Sequence, residues 1–338
     1  MKKIKWESLI ILFITIIVLW LVLKDSFNMS INLIFSSNLI WISIAIIVFI
    51  IQFILEAYII YLLIHQFDKK YTLLKTIKLN IITKFFNGIT PFASGGQPFQ
   101  IIELKKDNVD YDKAMIVIVE DFILLQIAVV IMSIVGFIIG YIFKVIDFSS
   151  FLWTMTIVGF AVNLLILLFV LFISKKINLA KKIGFSFIRF IYKIKLIKNL
   201  DKSINKWNDL CNKYYFGINT LEEDKKLLNK CIKINIIYMI IYFTMPFFIL
   251  KAVGYTNFNN IFLITLLSLY VYLCGSFIPI PGGSFGIEYA YVNFFKAHIK
   301  NIYVDPSLII WRSLTYYFPM LIGGIVYNLR KNKNGEDE

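Results

Sequence analysis

Six ionisable residues interrupt stretches that are otherwise almost wholly apolar: Glu56, Lys84, Glu120, Asp121, Glu288 and Arg312. A charge at bilayer depth is costly and persists where it meets a substrate, relays an ion or pairs with another charge. Glu288 follows Gly282-Gly283-Ser284 by about one helical turn. Arg312 stands at the outer start of a later apolar run, placed to pair with Glu288 or to hold a phosphate. Glu120 and Asp121 are adjacent, so on a helix they point about 100° apart and cannot face one ligand equally. A structural ion pair or a snorkelling side chain accounts for any one of these residues as well as a substrate does. As a set around a polar cavity they point more strongly to a substrate.

Two uncharged stretches contain breaks. The first, 85–102, is centred on Thr90-Pro91-Phe92-Ala93-Ser94-Gly95-Gly96-Gln97-Pro98. The second runs for 36 residues, 252–287, and contains Pro279-Ile280-Pro281-Gly282-Gly283-Ser284-Phe285-Gly286. Proline deletes a backbone donor and glycine loosens a helix, so neither stretch crosses a membrane as one regular helix. Broken backbone at membrane depth is tolerated only inside protein or along a polar cavity. Each stretch therefore reads as a re-entrant helix–break–helix hairpin, about 79–104 and about 261–296. Helices restarting near Gln97 and Ser284 would aim unpaired N–H groups at the break and attract an anion such as a phosphate. The glycines would let that anion approach the backbone. The expected phosphate cradle is Gly95, Gly96, Gln97, Gly282, Gly283 and Ser284. Kinks without a ligand explain one such break; two in matching halves favour a transporter.

Other chemistries fit poorly. Gly282-Gly283-Ser284-Phe285-Gly286 satisfies the G-x-S-x-G nucleophile pattern, but that serine needs a nearby base. His298 is 14 residues on, roughly 21 Å along a helix, and His65 is expected on the other membrane face. The chain has no G-x-x-x-x-G-K-[ST] phosphate loop and no H-E-x-x-H. Two histidines and three scattered cysteines (Cys211, Cys231, Cys274) form neither a metal-binding pattern nor a disulfide framework. No catalytic residue, metal or cofactor is expected.

The elements that must carry these residues are membrane helices. Hydrophobic residues make up 59% and charged residues 17% of 338, with mean hydropathy +0.76, well outside the range of water-soluble domains. Spans are expected at 8–24, 39–64, 114–143, 151–173, 231–253 and 308–329, with no alternation that would suit a barrel. An all-α polytopic protein with six crossings and two oppositely oriented hairpins, inverted-repeat-like, follows. The segments 1–7, 65–78, 103–113, 174–230 and 330–338 hold 27 Lys and Arg, against 3 in the opposite loops. That bias puts both termini in the cytoplasm. The resulting organisation is a first membrane half at 1–173, a basic linker at 174–230, a second membrane half at 231–330 and a tail at 331–338. The linker, with 14 basic and 5 acidic residues among apolar ones, reads either as a solvated helical hairpin or as a helix on an anionic leaflet. The solvated hairpin is the reading taken here. The net charge of +14 is explained by topology, so no nucleic acid partner is expected.

The two broken segments, in this order, resemble the paired signatures of the flippase domain of bacterial lysylphosphatidylglycerol synthases, the multiple peptide resistance factors, over roughly residues 5–330. The resemblance implies a multi-pass protein of the bacterial plasma membrane that moves aminoacylated phosphatidylglycerol to the outer leaflet, lowering surface charge against cationic antimicrobial peptides. The implied partner is a membrane phospholipid, anionic or aminoacylated. Carboxylates Glu288, Glu120 and Asp121 would accept a cationic headgroup. A polyprenyl-phosphate carrier, leaning on Arg312 and Lys84, and a partner of a separately encoded synthase stay open, as does a homo-oligomer. Ending at Glu338, the chain is expected to lack the family's aminoacyl-transferase domain and not to be an enzyme.

Overall fold

The computed structural model describes residues 27–91, 95–145, 150–194 and 199–333, and the described residues form helices without strands. The expected first span, 8–24, lies outside them. In chain order the helices are α1 (Phe27–Phe35), α2 (Leu39–Ile64), α3 (Leu73–Ile89), α4 (Gly96–Lys106), α5 (Tyr111–Ile142) and α6 (Phe151–Lys175). They continue with α7 (Ile177–Lys193), α8 (Leu200–Glu223), α9 (Lys225–Ala252), α10 (Ile261–Gly275), α11 (Gly286–Lys296), α12 (Asn301–Arg312) and α13 (Phe318–Lys333). A 3-10 turn, Pro281–Gly283, precedes α11, and a π-helical turn, Ser313–Tyr317, joins α12 to α13.

Five segments are long and apolar enough to cross a bilayer: Leu39–Ile64, Tyr111–Ile142, Phe151–Lys175, Lys225–Ala252 and Asn301–Arg330. The protein is a multi-pass membrane protein. Three helices begin earlier than hydropathy indicates, α5 by three residues at Tyr111 and α9 and α12 by more. α9 starts at Lys225 because Asp224 caps it, its Oδ1 accepting the Leu227 amide at 3.0 Å. The last span begins at Asn301 rather than near 308, since polar residues extend a helix without marking lipid contact.

Both expected breaks are present. The first follows from Pro91, which forces Thr90 into an extended conformation (φ −116°, ψ 147°) and ends α3. In the second, Gly282 (φ 66°) and Gly283 (φ 62°) take left-handed geometry, and Phe285 (φ 71°) pays a steric cost to enter α11. The limbs have 17 and 11 residues in the first case and 15 and 11 in the second. At about 1.5 Å per residue, none spans about 30 Å of hydrocarbon alone.

Helix α9 sits centrally, packed on α2, α5, α10 and α12, while α3 packs on α13 and on the 281–283 turn. The main core joins Tyr270, Tyr291, Phe295 and Trp311 of the second half to Trp153 of α6. At the ends of α4 and α13, Arg330 pairs with Asp107 (2.7 Å) and Glu103 (3.1 Å), and the Tyr71 hydroxyl donates to Asp107 at 3.0 Å. Burial, with the Asp107 carboxylate adding to it, pushes the Tyr71 phenol well above its ordinary pKa.

Gly323 and Gly324, left open by sequence between contacts within and between chains, serve the α3–α13 contact within this chain. A Cβ on Gly323 would strike the Ile81 carbonyl oxygen, and one on Gly324 would crowd the Phe85 ring. Gly323→Leu should therefore force the two helices apart and cost about 1–3 kcal/mol. A thermal unfolding midpoint in detergent equal to that of the unaltered protein would contradict that close approach.

Candidate functional site

The two breaks meet. The Tyr316 hydroxyl donates to the Gly88 carbonyl of the first at 2.8 Å. Its ring fills the space a Cβ on Gly282 of the second would need. The π-helical turn sets Tyr316 and Tyr317 beside Arg312, whose guanidinium carbon lies 4.5 Å from the Tyr316 ring centroid and 5.9 Å from that of Tyr317. Sequence reasoning missed Tyr316, since a tyrosine in an apolar run looks like a lipid-facing residue.

Arg312 is 4% exposed and Glu288 fully buried; they pair through Nε and Oε1 at 2.8 Å. Arg312 Nη2 also donates to the Gly282 carbonyl (3.0 Å) and the Ser284 hydroxyl (3.4 Å). One guanidinium thus ties the α11 entry, the glycine turn and the last span together. Among the described residues, Glu288 Oε2 and Trp311 Nε1 are buried polar atoms without a hydrogen-bond partner. Ser284 thus contacts the Arg312 cation.

Four backbone amides of the expected cradle have partners within the chain in this conformation. The Gly95 amide donates to Thr90 Oγ1 at 2.8 Å and the Gly96 amide to Asn87 Oδ1 at 2.9 Å. Gly283 and Ser284 donate to the Ile280 and Pro281 carbonyls at 2.9 and 3.3 Å. These amides, expected to be unpaired, are satisfied by the chain itself, because an unbonded donor in so dry a place is costly. Gln97 is half-buried in the first turn of α4. The Gly282 carbonyl of the second glycine turn accepts from Arg312, which is the anion-attracting charge nearby.

A second cluster lies deeper in the first half. Lys84 Nζ pairs with Glu56 at 2.6 Å, and the Asn80 amide donates to Glu56 Oε2 at 3.1 Å. Asp121 lies within electrostatic reach of Glu56, Glu120 and Lys84, yet forms no ion pair among the described residues. Glu120 is turned into the protein at 4% exposure while Asp121 is half-buried, as the 100° offset between neighbours requires. Three tyrosines link the clusters: Tyr238 and Tyr242, one turn apart on α9, and Tyr272 on α10. All three feel Glu56, and Tyr242 also feels Arg312. Each of the three is half-buried. Their i, i+4 spacing in α9 was the available sequence signal.

The arrangement presents one guanidinium and one ammonium, each balanced by a carboxylate, plus the additional carboxylate of Asp121, with three half-buried tyrosines between them. No group of three or more His, Cys, Asp or Glu suited to a metal occurs among the described residues.

A family model described as the lysylphosphatidylglycerol synthase TM region matches residues 8–323. No curated protein and no solved structure matches the chain.

Proposed function

This chain belongs to the lysylphosphatidylglycerol synthase transmembrane family, its function concerns membrane lipid, and we propose that it is a lipid translocase moving aminoacylated phosphatidylglycerol, of the lysyl type, between leaflets of the bacterial plasma membrane. The observation that carries this reading is the meeting of two broken helices at Tyr316 beside the buried Arg312–Glu288 pair. In the proposed topology both termini are cytoplasmic. The segment α3–α4 enters and leaves from that side, and α10–α11 from the other. The two dead-end tips then lie near the midplane, where discontinuous helices of transporters hold substrate.

A lysyl lipid carries a phosphate and a cationic headgroup together. The phosphate would take Arg312 as its counter-charge, and the headgroup amines would meet Glu288, Asp121 and the tyrosines Tyr238, Tyr242 and Tyr272. Acyl chains stay in the bilayer while one half rocks against the other. Outer-leaflet lysyl lipid lowers negative surface charge, which would support resistance to cationic antimicrobial peptides. Aminoacyl transfer is not part of this proposal; purified protein given charged tRNA and phosphatidylglycerol should form no lysyl lipid.

The deciding experiment is leaflet exchange of labelled lipids in proteoliposomes. Exchange of lysyl-phosphatidylglycerol no faster than in protein-free vesicles would overturn the reading. Glu288→Gln separates it from carriage of a polyprenyl phosphate. Losing a charged hydrogen-bond acceptor worth about 1.5–3 kcal/mol should slow lysyl-lipid exchange about tenfold or more. It would leave Arg312 free for a bare phosphate, so polyprenyl-phosphate exchange, if present, should persist or rise. Slowing of polyprenyl phosphate alone would reverse the assignment.

A further inference from the structure

Helix α7 presents a face that the other described residues leave uncovered. Ile183, Phe187, Phe190 and Ile194 are 45%, 62%, 59% and 51% exposed. Their spacing of four, three and four residues confines them to an arc of about 60°. About 100° away on one side lies the contact with α8: Gly184 is buried, a Cβ there would strike the Trp207 indole, and Trp207 Nε1 donates to the Ala180 carbonyl at 3.4 Å. A similar distance away on the other side, Lys182, Arg189 and Lys193 form an exposed cationic edge.

The position of α7 limits what can cover it. The α6 span ends at Lys175 and α7 begins at Ile177, with Lys176 (φ −115°, ψ 75°) breaking the helix between them. Lys176 Nζ lies 4.5 Å from the Phe172 ring centroid of the span itself. With 25 residues, α6 is about 37 Å long, enough to pass the hydrocarbon and reach the headgroups. The chain therefore turns into α7 at headgroup level, and the cationic row next to the apolar stripe matches the order of phosphate and acyl chain there.

We propose that α7 lies in the plane of the membrane surface as an anionic-lipid-binding helix, with Phe187 and its neighbours below the headgroups and Lys182, Arg189 and Lys193 on lipid phosphates. The sequence favoured a solvated hairpin over a leaflet-bound helix; the uncovered apolar arc of the structure argues for the leaflet instead. The proposal does not rest on lipid translocation and holds for either leaflet.

The test uses the full chain in nanodiscs, with single nitroxide labels at Ile183→Cys, Phe187→Cys, Phe190→Cys or Asn178→Cys after replacement of Cys211, Cys231 and Cys274 by Ser or Ala. In discs containing phosphatidylglycerol, relaxation by oxygen should exceed that by a soluble nickel chelate at 183, 187 and 190, with the reverse at the exposed polar position 178. In phosphatidylcholine discs, or with Lys182→Glu, Arg189→Glu and Lys193→Glu together, the contrast at 187 should fall at least threefold while the elution profile and helical signal stay unchanged. Nickel access at all four positions would mean a solvated hairpin and overturn the proposal. Exclusion of both reagents with an immobilised spectrum would mean a second copy or another protein and overturn it equally. Undiminished contrast in phosphatidylcholine would remove the anionic requirement and with it the assignment.

Discussion

Arg312→Ala should destabilise the protein by about 3–5 kcal/mol, the scale for removing one partner of a buried ion pair. The loss has three sources. Glu288, fully buried, would keep a charge with neither carboxylate oxygen bonded, since Oε2 already has no partner among the described residues. The Gly282 carbonyl and the Ser284 hydroxyl would each lose a donor. The Tyr316 ring would lose the guanidinium above it. Arg312→Lys should recover part of this, because a single ammonium keeps the charge but cannot reproduce the fork that reaches Glu288 and Gly282 together. The informative comparison is Arg312→Met with Glu288→Leu. Replacing both charges by apolar groups of similar size is often neutral or better for stability, yet under the proposed function it should abolish lysyl-lipid exchange. Unfolding midpoints in nanodiscs together with proteoliposome exchange measure the two effects. A stable double variant with full exchange would reduce Arg312 and Glu288 to a structural clasp.

The breaks were legible because proline and glycine act locally. Thr90-Pro91 and the glycines after Pro281 force non-helical backbone whatever surrounds them, and the structure interrupts its helices at those points. The pairing of Arg312 with Glu288 was legible as one of two options, because a buried cation in a second half with few charges has few partners. The state of the amide donors was not. Helix ends were read as open, although the cost of an unbonded donor away from water predicts that some nearby side chain will take it. Asn87 and Thr90 do so from nine and five residues upstream, a reach that depends on how the loop folds back. Tyr316 was invisible for a similar reason: its role is set by contact with Gly88, 228 residues away. Hydropathy located both ends of the Leu39–Ile64 span but not the starts of α9 and α12, which polar residues carry outward, with Asp224 capping the first of them.

Lys84→Met is the second substitution of large expected effect, and its physics differs. The Lys84–Glu56 pair is partly accessible, with side chains 20% and 27% exposed, so screening reduces the cost from the fully buried range to about 1–3 kcal/mol. Charge balance matters more than that cost. With Lys84 present, Glu56 is balanced and Asp121 remains as the uncompensated carboxylate within reach of it. Without Lys84, Glu56 and Asp121 repel each other in an interior of low dielectric, and one of them must take up a proton or a cation. Glu56→Gln should therefore rescue Lys84→Met, with a coupling of about 1–3 kcal/mol in a double-mutant cycle. Asp121→Asn should behave oppositely: stability holds or rises because repulsion is relieved, while lysyl-lipid exchange falls because the carboxylate not claimed by an ion pair is gone. If Asp121→Asn left exchange unchanged while Lys84→Met abolished it, the headgroup amines would not be meeting Asp121, and the first-half cluster would act on lipid phosphate through Lys84 instead.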